Sequence, residues 1–107
     1  MAWLPPFTFL TLIRAESNNA THVEDFLRQV RQTLEVHPLF DETCMVLGPI
    51  PAPLAKRAGK YRWHLLLQTQ ARSKMQPLLT SAKPAILLLP LATKVKWTLD
   101  IEPHDLS

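Results

Sequence analysis

Lys56, Arg57, Lys60 and Arg62 fall within seven residues and are interleaved with Tyr61 and Trp63. Clustered ammonium and guanidinium groups beside aromatic rings have the chemistry of a polyanion site. The cations meet phosphates, and a ring can stack on an unpaired base. The wider charge distribution has the same sense. Residues 43–99 carry nine basic side chains and no Asp or Glu, whereas residues 1–42 carry three basic and six acidic ones. Residues 100–107 add Asp100, Glu102 and Asp105, so the net charge of +3 conceals a long one-signed segment. That asymmetry exceeds what solvation requires and predicts an anionic partner. Lys94 and Lys96 extend the basic track toward the C-terminal end.

Other chemistries find no support in the residue types. With Gly48 and Gly59 as its two glycines, the chain cannot build a glycine-rich phosphate cradle or a dinucleotide fingerprint. His22, His37, His64 and His104 have no metal-ligand spacing, and the single Cys44 cannot make a structural zinc site or an internal disulfide. No Gly-x-Ser-x-Gly elbow is present. The carboxylates fall mostly where a solvated helix and tail are expected. The expectation is a chain with no catalytic centre and no cofactor of its own, with Cys44 as a small core residue. The N-terminus lacks a basic signal-peptide region and the apolar run Ala85–Ala92 is too short for a bilayer, so a cytoplasmic location and no membrane partner are expected.

The elements that must position the cations follow from periodicity. Phe7 to Ala15 reads as a strand buried on both faces. Asn19-Ala20-Thr21 reads as helix-start chemistry, with Thr21 and Glu24 as a capping box. Val23, Phe26, Leu27, Val30 and Leu34 then recur at helical spacing until His37-Pro38. Met45 to Ile50 is a short second strand. Pro49, Pro51 and Pro53 predict a stiff extended loop that carries the basic cluster to a third strand, Tyr61 to Gln70. In that strand Tyr61, Trp63, Leu65 and Leu67 face one way and Arg62, His64, Leu66 and Gln68 the other, so both aromatic rings belong to the core rather than to a base. Ala71 to Leu89 is a second helix with Ser73 and Gln76 as a capping pair, and Pro84 is expected to kink or split it. Lys94 to Ile101 alternates as a last strand, with Val95, Trp97, Leu99 and Ile101 inward.

The order β-α-β-β-α-β predicts an α+β, ferredoxin-like split βαβ fold: a four-stranded antiparallel sheet with two helices on one face and the first and third strands central. The predicted core is Phe9, Ile13, Val23, Phe26, Leu27, Val30, Leu34, Trp63, Leu65, Leu67, Met75, Leu79, Val95, Trp97 and Leu99. Residues 1–107 are read as one domain, with 1–6 as an entry segment and 104–107 as a tail.

Several blocks in succession carry a resemblance. They are Pro5-Pro6-Phe7-Thr8, Arg14-Ala15-Glu16, Val46-Leu47-Gly48-Pro49-Ile50-Pro51-Ala52, Lys56-Arg57-Ala58-Gly59-Lys60-Tyr61-Arg62-Trp63, Leu66-Leu67-Gln68, and Lys94 through Pro103. Together they resemble the C-terminal domain of the primosomal protein N-prime (PriA) family, the bacterial replication-restart DNA helicases. The resemblance implies a module of a larger enzyme, whose ATP, magnesium and zinc sites lie in regions this chain does not match. It further implies branched or forked DNA, the tail of single-stranded DNA-binding protein, other primosome proteins and the remaining domains of the parent helicase as partners. The resemblance implies that this tail is acidic and ends in a hydrophobic residue with a free carboxylate, and that the family positions that contact it match Arg72 and Gln76. Lys56, Arg57, Lys60, Arg62, Lys94 and Lys96 are the expected DNA contacts. The basic fold alone is also compatible with an RNA- or ribosome-binding module, or with a structural brace for the helicase lobes.

Overall fold

In the computed structural model, which describes residues 9–57 and 59–101, with the side chains of residues 53–57, 72 and 101 outside the description, a central strand settles the architecture. β1 (Phe9–Ser17) alternates strictly. Thr11, Ile13, Ala15 and Ser17 are buried, while Arg14 is exposed and Leu10, Leu12 and Glu16 are half-buried. The expectation of a strand buried on both faces is therefore corrected: helices cover one face only. The expected entry segment 1–6 and tail 104–107 lie outside the described residues.

α1 (Ala20–Glu35) follows, then the hairpin of β2 (Cys44–Arg57) and β3 (Lys60–Thr69), α2 (Arg72–Leu87), a 3-10 turn at Pro90–Thr93, and β4 (Lys96–Ile101). The sheet order is β2-β3-β1-β4, with every neighbouring pair antiparallel. The first and third strands are central, and the ferredoxin-like arrangement is the observed one.

The cap of α1 lies two residues before the expected box. Asn19 holds an extended backbone and its Oδ1 accepts from the His22 amide at 3.1 Å, so Asn19 is the cap and Thr21 lies inside the helix. Val23, Phe26, Leu27, Val30 and Leu34 are all fully buried. On α2 the stripe is Met75, Leu78, Leu79, Ala82 and Ile86. Ala71 precedes that helix with no side-chain cap, so the Ser73–Gln76 box does not form. Pro77 and Pro84 lie inside α2 without dividing it. Pro84 is exposed, whereas Ala82 and Ile86 on either side of it are fully buried. The packed stripe carries the backbone past the missing hydrogen bond.

Under the helices the register sets Trp63 and Trp97 on either side of Ala15, one on β3 and one on β4. Both indoles are partly buried and pack on the core, and Trp97 meets the Phe26 ring at 5.7 Å between centroids, tilted by 43°. The inward assignment of these rings holds. Two buried hydroxyls find partners: Thr11 Oγ1 donates to Met75 Sδ at 3.2 Å, and Thr69 Oγ1 to the Ala71 carbonyl at 3.0 Å. Cys44 is buried and unpaired, as its reading as a core residue requires.

The largest departure from expectation is β2. The proline-rich stretch is not a loop but the continuation of an edge strand, paired with β3 as far as Arg57↔Lys60. Proline forbids a sheet interior but not an edge. The strand absorbs its irregularities in register shifts between Leu47 and Ile50 and between Pro51 and Lys56. Gly48, at the first shift, has φ +107 and precedes a cis peptide bond to Pro49. A Cβ there would lie 2.9 Å from the His64 carbonyl oxygen and 3.1 Å from the Ile50 nitrogen. The Gly48 carbonyl accepts from Arg31 Nη1 at 2.6 Å, which pins the bulge to α1. Gly59, in the turn, has φ +79 but open space around it.

The two glycines therefore predict different costs. Gly59→Ala should lose about 1–2 kcal/mol, the cost of a left-handed backbone alone. Gly48→Ala should lose more, because backbone atoms must also move. Urea denaturation of both variants checks the order, and equal losses would show that the bulge yields freely.

Candidate nucleic-acid interface

The helix-free face of the sheet gathers its charge across three strands. On one rung Glu16 of β1 lies between Arg62 of β3 and Lys96 of β4. On another Arg14 lies between His64 and Thr98. Together with Ala15 these residues line a cavity of about 160 Å³. Arg14 Nη2 also pairs with Asp100 Oδ2 at 3.2 Å. His64 Nε2 is buried in this cluster and has no hydrogen-bond partner. Burial, and then the charges of Arg14 and Arg62, hold the imidazole below its usual pKa. The ring is thereby biased toward its neutral form beside three cations.

Further along the same face the character changes. Leu47 of β2, Leu66 of β3 and Leu12 of β1 share a rung, and Ile50 lies opposite His64. Leu47 and Ile50 are 43% and 50% exposed. The open face thus grades from an apolar half to a cationic half.

Among the expected DNA contacts, Arg62 and Lys96 are brought together in the cavity. Lys60 is exposed at the hairpin end, and Lys56 and Arg57 sit opposite Tyr61 and Lys60 in the register, their side chains outside the described residues. Lys94 is exposed but follows the 3-10 turn, its amide bonded to the Leu91 carbonyl at 2.9 Å, rather than opening β4 as expected. Arg14 and His64 were not among the expected contacts. The signal for Arg14 was the alternation of Thr11, Ile13 and Ala15 against Leu12, Arg14 and Glu16, which the reading of β1 as doubly buried concealed.

The expected partner contacts lie elsewhere, on α2, over the opposite face of the sheet. Arg72 opens the helix, with its side chain outside the described residues, and Gln76 is exposed one turn later. Between them Lys74 Nζ donates to Asp41 Oδ2, and the Thr43 amide donates to Asp41 Oδ1 at 2.9 Å. The first turn of α2 is thereby tied to the segment before β2. The hydrogen bond from Lys74, followed by those from Thr43, lowers the Asp41 pKa well below the ordinary carboxylate value. Among the described residues no group of three or more His, Cys, Asp and Glu could hold a metal ion. No helix among them is long and apolar enough to cross a membrane.

These features define an α+β domain with a helix-covered core and an open, partly cationic sheet. Solved structures share that fold at low identity. A de novo designed protein, Foldit4, matches with TM-score 0.63 and 11% identity over 90% of this chain and 97% of its own. A dimeric ferredoxin-like protein from an uncultured marine organism matches with TM-score 0.57 and 15% identity over 88% and 92%. The family model for the primosomal protein N C-terminal domain matches residues 1–104, and the chain belongs to that family. Replication restart protein PriA of Haemophilus influenzae is 38% identical over 97% of this chain, and that of Buchnera aphidicola 31% identical over 94%. The chain spans 14% of the length of each of these two relatives.

The Asp41 contact predicts a pH dependence. A carboxyl whose pKa is lowered on folding stabilises the fold above its unfolded value, about 3.9, and loses that contribution as pH falls below it. Asp41→Asn should flatten the acid limb of melting temperature against pH while leaving β1 and β3 unchanged. An identical acid limb in the variant would remove Asp41 from the stability balance.

Proposed function

We propose that the chain is the DNA-binding and partner-docking module of a replication-restart helicase. Branched DNA would contact the cationic half of the open sheet and the hairpin end. The tail of single-stranded DNA-binding protein would dock at the first turn of α2. The observation that carries the first half is the convergence of Arg62 and Lys96, from strands far apart in sequence, on one cavity beside Arg14. Phosphate contacts of this kind orient a duplex and carry little sequence information, which suits an enzyme that selects fork structure. The names of the relatives support the replication-restart context. ATP hydrolysis and unwinding would belong to other regions of the parent.

The apolar half of the sheet supports a second reading, a brace whose Leu47 and Ile50 meet other domains of the parent. The two separate on salt dependence. Replacing Lys60, Arg62 and Lys96 with Ala should lower the slope of log affinity for forked DNA against log salt by about 0.9 for every phosphate left without its cation. Fluorescence anisotropy across a salt series measures it. An unchanged affinity and slope would exclude this face as the DNA contact, and absence of DNA binding by the wild-type chain at low salt would favour the brace. Competition with structured RNA at matched salt distinguishes the ribosome-type alternative.

For the partner, Arg72 offers a paired-donor fork to a terminal carboxylate and Gln76 a neutral donor one turn away. Arg72→Ala should weaken tail-peptide binding to the full-length parent about tenfold or more, since a charge-assisted hydrogen bond contributes about 1.5–3 kcal/mol. Arg72→Lys should restore part of the affinity, because an ammonium keeps the charge but lacks the planar fork. Equal affinities by calorimetric titration would remove Arg72 from the site.

A further inference from the structure

The cavity on the open sheet face has three properties that together point to a particular ligand. It is concave, with about 160 Å³ of space, several times the ~30 Å³ share of one water in the liquid. It contains a buried polar atom, His64 Nε2, with no partner, and such atoms in native proteins generally answer to something. Its charges are closely balanced. Arg14 and Glu16 come from β1, Arg62 from β3 and Lys96 from β4. Asp100 of β4, outside the lining but paired with Arg14, adds a second carboxylate, and the neighbour of His64 on β2 is the uncharged Ile50. Among the described residues, these three cations against two carboxylates leave a single positive charge around the imidazole.

That balance discriminates between anions. A dianion would meet Glu16 and Asp100 with more charge than the cations can offset. A monoanion is matched. The hydrogen-bonding groups are suited to tetrahedral oxygens: the guanidinium forks of Arg14 and Arg62 and the Lys96 ammonium donate only, and His64 can present Nε2–H.

We propose that this cavity seats one internal phosphodiester of a nucleic-acid strand, held by Arg14, Arg62, Lys96 and His64 Nε2–H, with Glu16 and Asp100 excluding terminal and free phosphate dianions. The proposal rests on the reading of this face as a nucleic-acid interface and gives it a ligand unit. His64 supplies an uncharged donor, so its contribution survives salt that screens the cations. Lys60, exposed at the hairpin end, then steers the strand, and the cavity fixes where one linkage stops.

The test uses the 107-residue chain and three probes: a dinucleoside monophosphate with one internal diester, inorganic phosphate at a pH where the dianion dominates, and forked DNA. NMR should show the His64 ring and the Arg14 and Arg62 side chains shifting with the dinucleoside monophosphate and much less with inorganic phosphate. His64→Leu should weaken forked-DNA binding about tenfold. His64→Gln, which keeps an N–H near the Nε2 position, should recover most of that affinity, and the backbone spectrum of each variant reports its fold. Forked DNA bound with full affinity by His64→Leu, with an unmoved His64 ring in the wild type, would overturn the seat and leave the DNA-binding reading standing. His64 shifting with the diester in a chain that binds no forked DNA would sustain the seat and sink that reading. Tighter binding of inorganic phosphate than of the diester would overturn the proposed selectivity.

Discussion

The alternation of β1 is the constraint on which both faces of the molecule depend. β1 has a partner along each side: Phe9–Ser17 pair with Thr69–Tyr61, and Thr11–Glu16 with Ile101–Lys96. A slip of one residue would send Arg14 and Glu16 under the helices and bring Ile13 and Ala15 to the open face. The fully buried Ile13 and the charged rungs of Arg14 and Glu16 are therefore two consequences of one register. Burying an unpaired guanidinium costs far more than exposing an isoleucine, so the two errors reinforce each other in excluding the wrong pairing.

Ala15 shows how closely the core and the open face are coupled. Its small side chain lies between two indoles on neighbouring strands, and the backbone that puts it there also presents Arg14 and Glu16 to solvent. Trp97 against Phe26 then ties α1 to the edge strand that carries Lys96. At the opposite edge of the sheet, Arg31 of α1 reaches the Gly48 carbonyl at the bulge, just before the pairing of Ile50 with His64. The first helix thus braces both flanks of the cationic surface without contributing a residue to it.

The sequence made most of the fold readable because its signals were periodic. Val23 through Leu34 and Met75 through Ile86 carry helical stripes, and Tyr61 through Leu67 alternate, so element types and order followed directly. What escaped reading was non-local. Thr11 and Ser17 are polar yet buried, and their inward side was hidden because the apolar Leu10 and Leu12 point the other way. The prolines of β2 suggested a loop because composition reports which partners are forbidden, not which edge is free. The site was half legible for the same reason. Arg62 and Lys96 stood out as charge, while Arg14 and His64 acquire meaning only from strands that meet across about half the chain. Asn19 took the cap because its side chain could reach the His22 amide; the Thr21 box was a valid pattern two residues out of place.

A different consequence attaches to the prolines of β2. The sheet has two outer margins, β2 and β4. Exposed strand margins invite a second chain to add itself by hydrogen bonding, the usual route to uncontrolled self-association. Pro49, Pro51 and Pro53 delete three amide donors from one margin, and the bulge at Gly48 bends it. The other margin is only six residues long and displays Lys96. A domain with so much apolar surface open on one side of its sheet is thereby discouraged from polymerising along its edges, and its associations are directed through the face.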